Sequence, residues 1–201
     1  MTESGDRVIY KPRSGERPLS DFPADSLAAR EVLTFEVSEA MRLGVVPETV
    51  IAGGPLGPGA VQRFVTAHRS FDPVAVVRRR DPRLWAIAVL DIVCNNADRK
   101  LGHILEVEGR LMGVDHGLTF HPDDKLRTVL WSFAGGAVPR PLLEAVSRLA
   151  LAGEGSLGSR VAELLGSTER EALLQRARDL LDTATHPQPP ADRPALPWPP
   201  Y

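Results

Sequence analysis

The chain has 201 residues and a net charge of −2, from 24 lysines and arginines against 26 aspartates and glutamates, and 43% of its residues are hydrophobic. This composition excludes a collagenous or wholly disordered chain and suffices for one domain or two small lobes. The near-zero charge argues against a nucleic-acid partner, because neutralising phosphates normally requires a basic excess.

The expected location is the cytoplasm. No apolar stretch reaches the roughly 18 to 20 residues of a membrane span, so membrane insertion is not expected. The first seven residues, MTESGDR, lack the apolar core of a signal peptide. The single cysteine, Cys94, cannot form an internal disulfide, which fits a reducing compartment.

The N-terminal part predicts a strand, a loop and a helix. Residues 8–11 (VIYK) are β-branched and aromatic, and Pro12 stops the strand because it lacks the amide that would continue a ladder. Residues 13–25 are rich in Gly, Pro, Ser and Asp and predict a loop. Asp25 or Ser26 is expected to cap a helix that runs to about Leu43.

A β-hairpin is predicted next. Residues 49–51 and 61–65 favour extended structure, and the glycine-rich residues 53–59 are expected to form the turn. These glycines do not match GxxxxGK[ST], and no helix pattern follows them. They therefore indicate a turn and not a phosphate cradle.

The middle of the chain predicts a buried helix and a second hairpin. After Asp81-Pro82, the segment LWAIAVLDIVCNN is apolar on nearly every face, which is typical of a buried helix. A polar loop over 97–102 follows. Residues 104–107 and 111–114 then predict a hairpin around Glu108-Gly109.

The remainder is expected to be helical, ending in a proline-rich tail. Helical patterns occupy four segments, namely 126–133, 141–151, 161–165 and 169–181. From residue 184 to 201 the composition becomes proline-rich, which predicts a disordered or polyproline tail.

Two polar loops and two upstream charges form a recognisable pattern. The loops are NNADRKLGH over residues 95–103 and GVDHG over residues 113–117, and they follow Lys11 at a strand end and Glu31 in a helix. The pattern resembles the phosphatidylinositol 3- and 4-kinase superfamily, whose catalytic loop reads DRHxxN and whose metal loop reads DFG. The segments YKPRSGERPLSDFP, NNADRKLGHIL and GVDHGLTFH resemble a group of small actinobacterial phosphatidylinositol-kinase-like proteins over about residues 7 to 135.

The resemblance implies a catalytic set in the first loop. Phosphoryl transfer requires a protein to hold the triphosphate and a metal ion and to orient the attacking hydroxyl. Asp98 would accept or orient the hydroxyl proton, Arg99 would support the loop, and Lys100 would neutralise the transferring phosphoryl group.

The resemblance also implies ligands for ATP and for Mg²⁺. Lys11 would contact the α- and β-phosphates and be fixed by an ion pair with Glu31, and Asp115 would bind the metal. His103 takes the place of the metal-binding asparagine, and an imidazole there would suit Mn²⁺ better. The adenine site at the hinge would be lined by Gln62, Phe64 and Val65.

The implied fold is α+β and two-lobed, with residues 1–66 as a shortened N-terminal lobe, 67–183 as a helical C-terminal lobe and 184–201 as the tail. Only seven residues precede Val8, which leaves no room for a Gly-rich hairpin. Either translation starts upstream, or the protein lacks a lid over the nucleotide. In the second case we expect weak ATP binding and an unprotected strand edge that favours weak self-association.

The expected function is ATP-dependent phosphotransfer to a hydroxyl of an unknown, soluble acceptor. One alternative is a pseudokinase that binds nucleotide or a protein partner without turnover. Another is a Zn²⁺ site for hydrolysis, built from Asp115, His103 and either His116 or His121.

Overall fold

The computed structural model describes Gly5 and residues 7–201. It has a mixed α+β architecture. The strands are β1 Val8–Pro12, β2 Thr49–Gly54, β3 Gly57–Arg63, β4 Ile104–Val107 and β5 Arg110–Gly113. The helices are α1 Leu27–Met41, α2 Pro73–Arg78, α3 Leu84–Cys94, α4 Arg140–Gly153, α5 Ser156–Leu164 and α6 Ser167–Thr183. Within the described residues, none of these helices combines the length and the apolar character needed to cross a membrane.

The first sheet is antiparallel with strand order β1-β3-β2, so the predicted hairpin is confirmed. Its turn is shorter than expected, because β2 and β3 continue through the glycines and leave only Pro55 and Leu56 between them. A side chain at Gly59 would place its Cβ 2.3 Å from the carbonyl oxygen of Lys11. Glycine is therefore required there for β1 to pair closely with β3.

The N-terminus of α1 is capped from a distance. Neither Asp25 nor Ser26 caps it with a side chain, contrary to the sequence prediction. The Glu16 carboxylate instead accepts hydrogen bonds from the backbone N–H groups of Leu27 (3.1 Å) and Ala28 (2.9 Å). A carboxylate at this position satisfies free N–H groups and interacts favourably with the helix dipole. The loop before α1 is thereby fixed to the helix.

Helix α3 lies in the centre of the hydrophobic core, as its apolar sequence predicts. Every residue from Ile87 to Cys94 is buried, and α3 contacts α1 and α6. The predicted hairpin of β4 and β5 is also present, in the register Ile104 opposite Gly113. The polar loop between α3 and β4 therefore begins at a rigid, buried helix end.

The helices of the C-terminal part agree with the sequence prediction at three of four segments. The exception is 126–133, which contains only a short 3₁₀ turn at Trp131–Phe133. Residues before this turn pair with the polar loop, since Arg99 N–H donates to Arg127 O (3.0 Å) and Val129 N–H donates to Arg99 O (3.1 Å). A helix would withdraw those backbone groups from the loop.

The tail, residues 184–201, packs against the helical part of the molecule instead of extending freely as a disordered segment. It has no helix or strand, in keeping with its prolines. The Ala195 carbonyl accepts hydrogen bonds from Thr128 N–H (3.1 Å) and from the Trp131 indole (2.7 Å). His186 is buried in contact with three aromatic rings, those of Trp85, Trp131 and Phe133.

Candidate functional site

One lysine joins two acidic groups from distant parts of the chain. Lys11 lies in β1 and forms the expected ion pair with Glu31 of α1. Its Nζ also lies 2.8 Å from Asp115 Oδ1, on the segment that follows β5. The second oxygen of Glu31 accepts the backbone N–H of His116 at 3.0 Å. The sheet, helix α1 and the segment after β5 therefore meet at this cluster.

The pKa shifts in this cluster follow from burial and from the shared lysine. Burial raises the pKa of the Glu31 carboxyl, and the nearby Lys11 ammonium only partly offsets this effect. Burial alone would also raise the pKa of Asp115, but Lys11 outweighs it and lowers that pKa. Burial lowers the pKa of Lys11, but the carboxylates of Glu31 and Asp115 together have the larger effect and raise it above its usual value. The ammonium therefore stays charged. Of the two carboxylates in this cluster, Asp115 is therefore more firmly ionised than Glu31.

Asp98 sits at the start of the polar loop after α3 and lines a cavity together with Lys11, Glu31 and Asp115. Its backbone N–H donates to the Asn96 side chain at 2.9 Å, which fixes the turn. Its carboxylate lies 3.0 Å from Lys100 Nζ. Burial raises the pKa of Asp98, and Lys100 opposes the shift. Lys100 is therefore paired with the carboxylate of Asp98.

Arg99 supports the loop from within the core. It is fully buried, and its guanidinium contacts both carboxylate oxygens of Asp91 in α3 at 2.9 Å. It also donates to Val114 O (2.9 Å) and contacts His116 Nε2 (2.7 Å). Sequence reasoning missed Asp91, and its signal was a single charge inside an otherwise apolar helix. The Asn96 side chain also donates to Asp91 Oδ1 at 2.9 Å. We call Asp91, Asn96, Arg99 and His116 the support network.

His103 and Asp115 are the side chains best placed to share a cation. His103 Nε2 lies 3.4 Å from Asp115 Oδ2. Burial and the nearby Arg99 charge lower the pKa of His103 to about 4, so its imidazole is neutral at pH 7. Within residues 5 and 7–201, no three His, Cys, Asp or Glu side chains come together as a metal-binding group. Two donors suit an ion that takes its other ligands from phosphate and water.

The histidines of the zinc alternative have other partners. His116 is fully buried with Nε2 against Arg99. His121 accepts the backbone N–H of Asp123 at 3.0 Å and packs edge-on against Phe22. Among the residues described, no hydrogen bond or ion pair joins either imidazole to the His103–Asp115 pair.

Two cavities meet at Lys11 and Asp115, which line both. The first, which we call the hinge cavity, has about 320 Å³ and an apolar lining that includes Phe64, Val65 and Val114. The second, the acidic cavity, has about 420 Å³ and includes Glu31 and Asp98.

All three residues expected at the adenine site, Gln62, Phe64 and Val65, line the hinge cavity. Gln62 is nevertheless buried, and its side-chain amide donates to Thr49 Oγ1 at 2.9 Å. This hydrogen bond ties β3 to β2 and uses one donor of the Gln62 amide. Val65 remains as the backbone contact point, because its N–H has no hydrogen-bond acceptor within the described residues.

The comparisons with known proteins give one informative similarity. The chain is 39% identical to Protein Rv2133c of Mycobacterium tuberculosis (strain ATCC 25618 / H37Rv), over an alignment that covers 96% of this chain and 82% of the relative. At this identity and coverage, the two chains belong to one family. No family model matches the sequence.

Proposed function

We propose that this member of the Rv2133c family is a kinase-like, two-lobed phosphotransferase that transfers the terminal phosphoryl group of ATP to a hydroxyl group. The observation that carries the proposal is the lysine shared by Glu31 and Asp115, with Asp98 lining the same cavity. Phosphoryl transfer requires a fixed cation at the phosphates, a hard ligand for Mg²⁺ and a base near the hydroxyl. Each of these groups is supplied here by a different element.

The nucleobase is assigned to the hinge cavity. Its volume of about 320 Å³ lies within the range of small-molecule sites. Apolar side chains line it, and the Val65 N–H has no acceptor within the described residues. A flat base gains from both features, since it buries apolar faces and accepts a backbone hydrogen bond at its edge.

The attacking hydroxyl is assigned to the acidic cavity, next to Asp98. The raised pKa of this carboxyl, caused by burial, makes it a better proton acceptor than an exposed aspartate. Lys100, 3.0 Å away, holds the carboxylate in one position. Asp98 would take the hydroxyl proton as the oxygen bonds to phosphorus and ADP leaves. A soluble acceptor and a cytoplasmic location are part of this proposal.

Asp115 and His103 would hold the metal ion that accompanies ATP. Asp115 is ionised and half-exposed, and His103 is a neutral imidazole beside it. The ion would neutralise phosphate charge when bound. A carboxylate alone suits Mg²⁺, whereas an added imidazole favours Mn²⁺.

A pseudokinase that binds nucleotide without turnover is the second candidate. It is favoured by the engagement of both Asp115 oxygens with groups of the chain itself, Lys11 at 2.8 Å and His103 at 3.4 Å. A metal ion would have to displace one of these two contacts.

The test compares Asp115→Asn with Asp98→Asn in calorimetric titrations with ATP, in the presence of Mg²⁺ or Mn²⁺. We expect Asp115→Asn to abolish metal-dependent nucleotide binding, because it removes the ionised ligand. We expect Asp98→Asn to retain binding and lose turnover, because its carboxylate serves the hydroxyl only. Turnover is followed as slow ATP hydrolysis or autophosphorylation.

The two variants are matched, since each replaces one carboxylate by an amide of the same shape in the same cavity. Equal loss of binding in both would contradict the assignment of roles. Binding without phosphoryl transfer in the unmodified protein, to water or to any acceptor, would favour the pseudokinase. No nucleotide binding by the unmodified protein would overturn both.

A further inference from the structure

The acidic cavity contains more negative than positive charge for a site that must receive a polyphosphate. Glu16, Glu31, Asp98 and Asp115 line it, and Lys11 already serves Glu31 and Asp115. One further cation, Arg17, also lines the cavity. Arg17 is exposed, and its side chain has no hydrogen bond or ion pair within the described residues. An unpaired arginine in an acidic cavity is positioned for an anionic ligand and not for the chain itself.

Arg17 belongs to a segment that is fixed on two sides. We call residues 12–19 the strap. Ser14 Oγ donates to Leu56 O at 3.1 Å, which ties the strap to the β2–β3 turn. Glu16 accepts the N–H groups of Leu27 and Ala28, which ties it to α1. The strap therefore crosses from the sheet to the helix at a defined position.

The strap also forms a wall of the acidic cavity. Five strap residues line it, namely Pro12, Gly15, Glu16, Arg17 and Leu19. Since Lys11 and Asp115 border both cavities, a nucleotide with its base in the hinge cavity would pass its phosphates between them and emerge beneath the strap.

We propose that the strap covers the terminal phosphates of the nucleotide and that Arg17 binds their oxygens. This inference rests on the proposed function and adds to it a phosphate-binding element located after Lys11 in the chain. The guanidinium presents several N–H donors in a plane, which matches phosphate oxygens. Glu16 and Ser14 are positioning residues in this arrangement, because they act by holding the strap.

The experiment is a calorimetric titration of the full chain with ATP, ADP and AMP in the presence of Mg²⁺. For Arg17→Ala we expect ATP affinity to fall by about 5-fold to 50-fold, as for loss of a charge-assisted contact, and AMP affinity to stay within about 2-fold. Arg17→Lys should recover part of the loss, since it restores charge without the planar donors. Ser14→Ala should weaken ATP binding by a smaller factor.

Arg140→Ala is the matched control, because it removes the same charge from a side chain that is 90% exposed at the start of α4. It should leave all three affinities unchanged. If Arg17→Ala changes ATP and AMP binding equally, or changes neither, the strap inference is overturned while the proposed function stands. If the unmodified protein binds none of the nucleotides, the proposed function fails and the strap inference falls with it.

Discussion

Two groups of charges in this protein, which meet in the chain at the adjacent residues Asp115 and His116, are built on opposite principles. In the support network, Asp91 and Arg99 are 1% and 0% exposed and every contact is internal. In the cluster around Lys11, the lysine and Asp115 side chains are 37% and 53% exposed. The first group pairs charges out of reach of water, and the second leaves them accessible to a ligand.

This difference separates support from binding. A buried ion pair contributes little net stability, but removing one partner leaves an uncompensated charge in the core. The network therefore holds the Asp98 loop in one arrangement, and removing one member of the network should destabilise the fold strongly. Exposed pairs are weak and exchange partners easily. Lys11 can therefore exchange its exposed contact with Asp115 for a phosphate contact, while the buried Glu31 keeps the lysine in place.

The largest expected effect concerns the buried group. Arg99→Met should lower the free energy of unfolding by about 3 to 5 kcal/mol, because Asp91 would stay buried without its partner. Urea denaturation followed by circular dichroism measures this change. The double variant Asp91→Leu/Arg99→Met should recover much of the loss, since no charge then remains unpaired. A loss below about 1 kcal/mol in the single variant would show that water reaches Asp91.

Lys11→Met should act in the opposite way, with a small effect on folding and a large one on binding. We expect a change in unfolding free energy of no more than about 1 to 2 kcal/mol. When the Lys11 ammonium is removed, the buried Glu31 carboxylate can take up a proton and become neutral, so no uncompensated charge remains. ATP affinity should fall by at least about 10-fold, which corresponds to roughly 1.4 kcal/mol. Parallel denaturation and titration test both parts. A destabilisation as large as that of Arg99→Met would show that the two groups do not differ.

A more moderate effect is expected at His103. The variant His103→Asn should shift the metal preference from Mn²⁺ towards Mg²⁺ by several-fold, because an amide oxygen replaces an imidazole nitrogen. The measurement is the ratio of ATP affinities, or of turnover rates, with the two metals. His103→Ala serves as the comparison. An unchanged ratio in the alanine variant would mean that the histidine is structural.

The smallest effect concerns pH and the buried histidine of the tail. Burial lowers the pKa of His186, so the folded protein keeps it neutral while the unfolded chain takes up a proton below about pH 6.5. Its contribution to stability is therefore complete above that pH and declines as pH falls. His186→Phe should give a flatter stability curve between about pH 7 and 5. The slope should not vanish, since His103 and His116 also have lowered pKa values.

The elements that sequence patterns predicted correctly are those whose signal is local. The apolar run of α3, the alternation in β2 and β3, and the Glu108-Gly109 turn each depend on residues within one short window. The contact between Lys11 and Glu31 was anticipated only through a resemblance between motifs. Strand and helix patterns alone do not state which face of α1 meets β1.

The features that sequence patterns missed all depend on contacts between distant residues. The cap of α1 comes from Glu16, eleven positions before the helix, and not from the adjacent Asp25 or Ser26. Residues 127–129 have a helical pattern, yet they pair with Arg99 because that loop requires backbone partners. The proline-rich tail lacks regular structure as predicted, but its position against Trp131 is a tertiary contact.

The sequence by itself therefore determined the periodic elements, the buried character of α3 and the presence of two polar loops after it, each with one aspartate. Only the tertiary structure decided that Lys11 serves Glu31 and Asp115 together, that Lys100 is paired with Asp98, and that Arg17 lines the same cavity. The physical reason is the separation along the chain over which each effect acts. Periodicity and turn preferences act over a few residues, whereas a binding site requires groups that lie up to about a hundred residues apart in the chain, as Lys11 and Asp115 do.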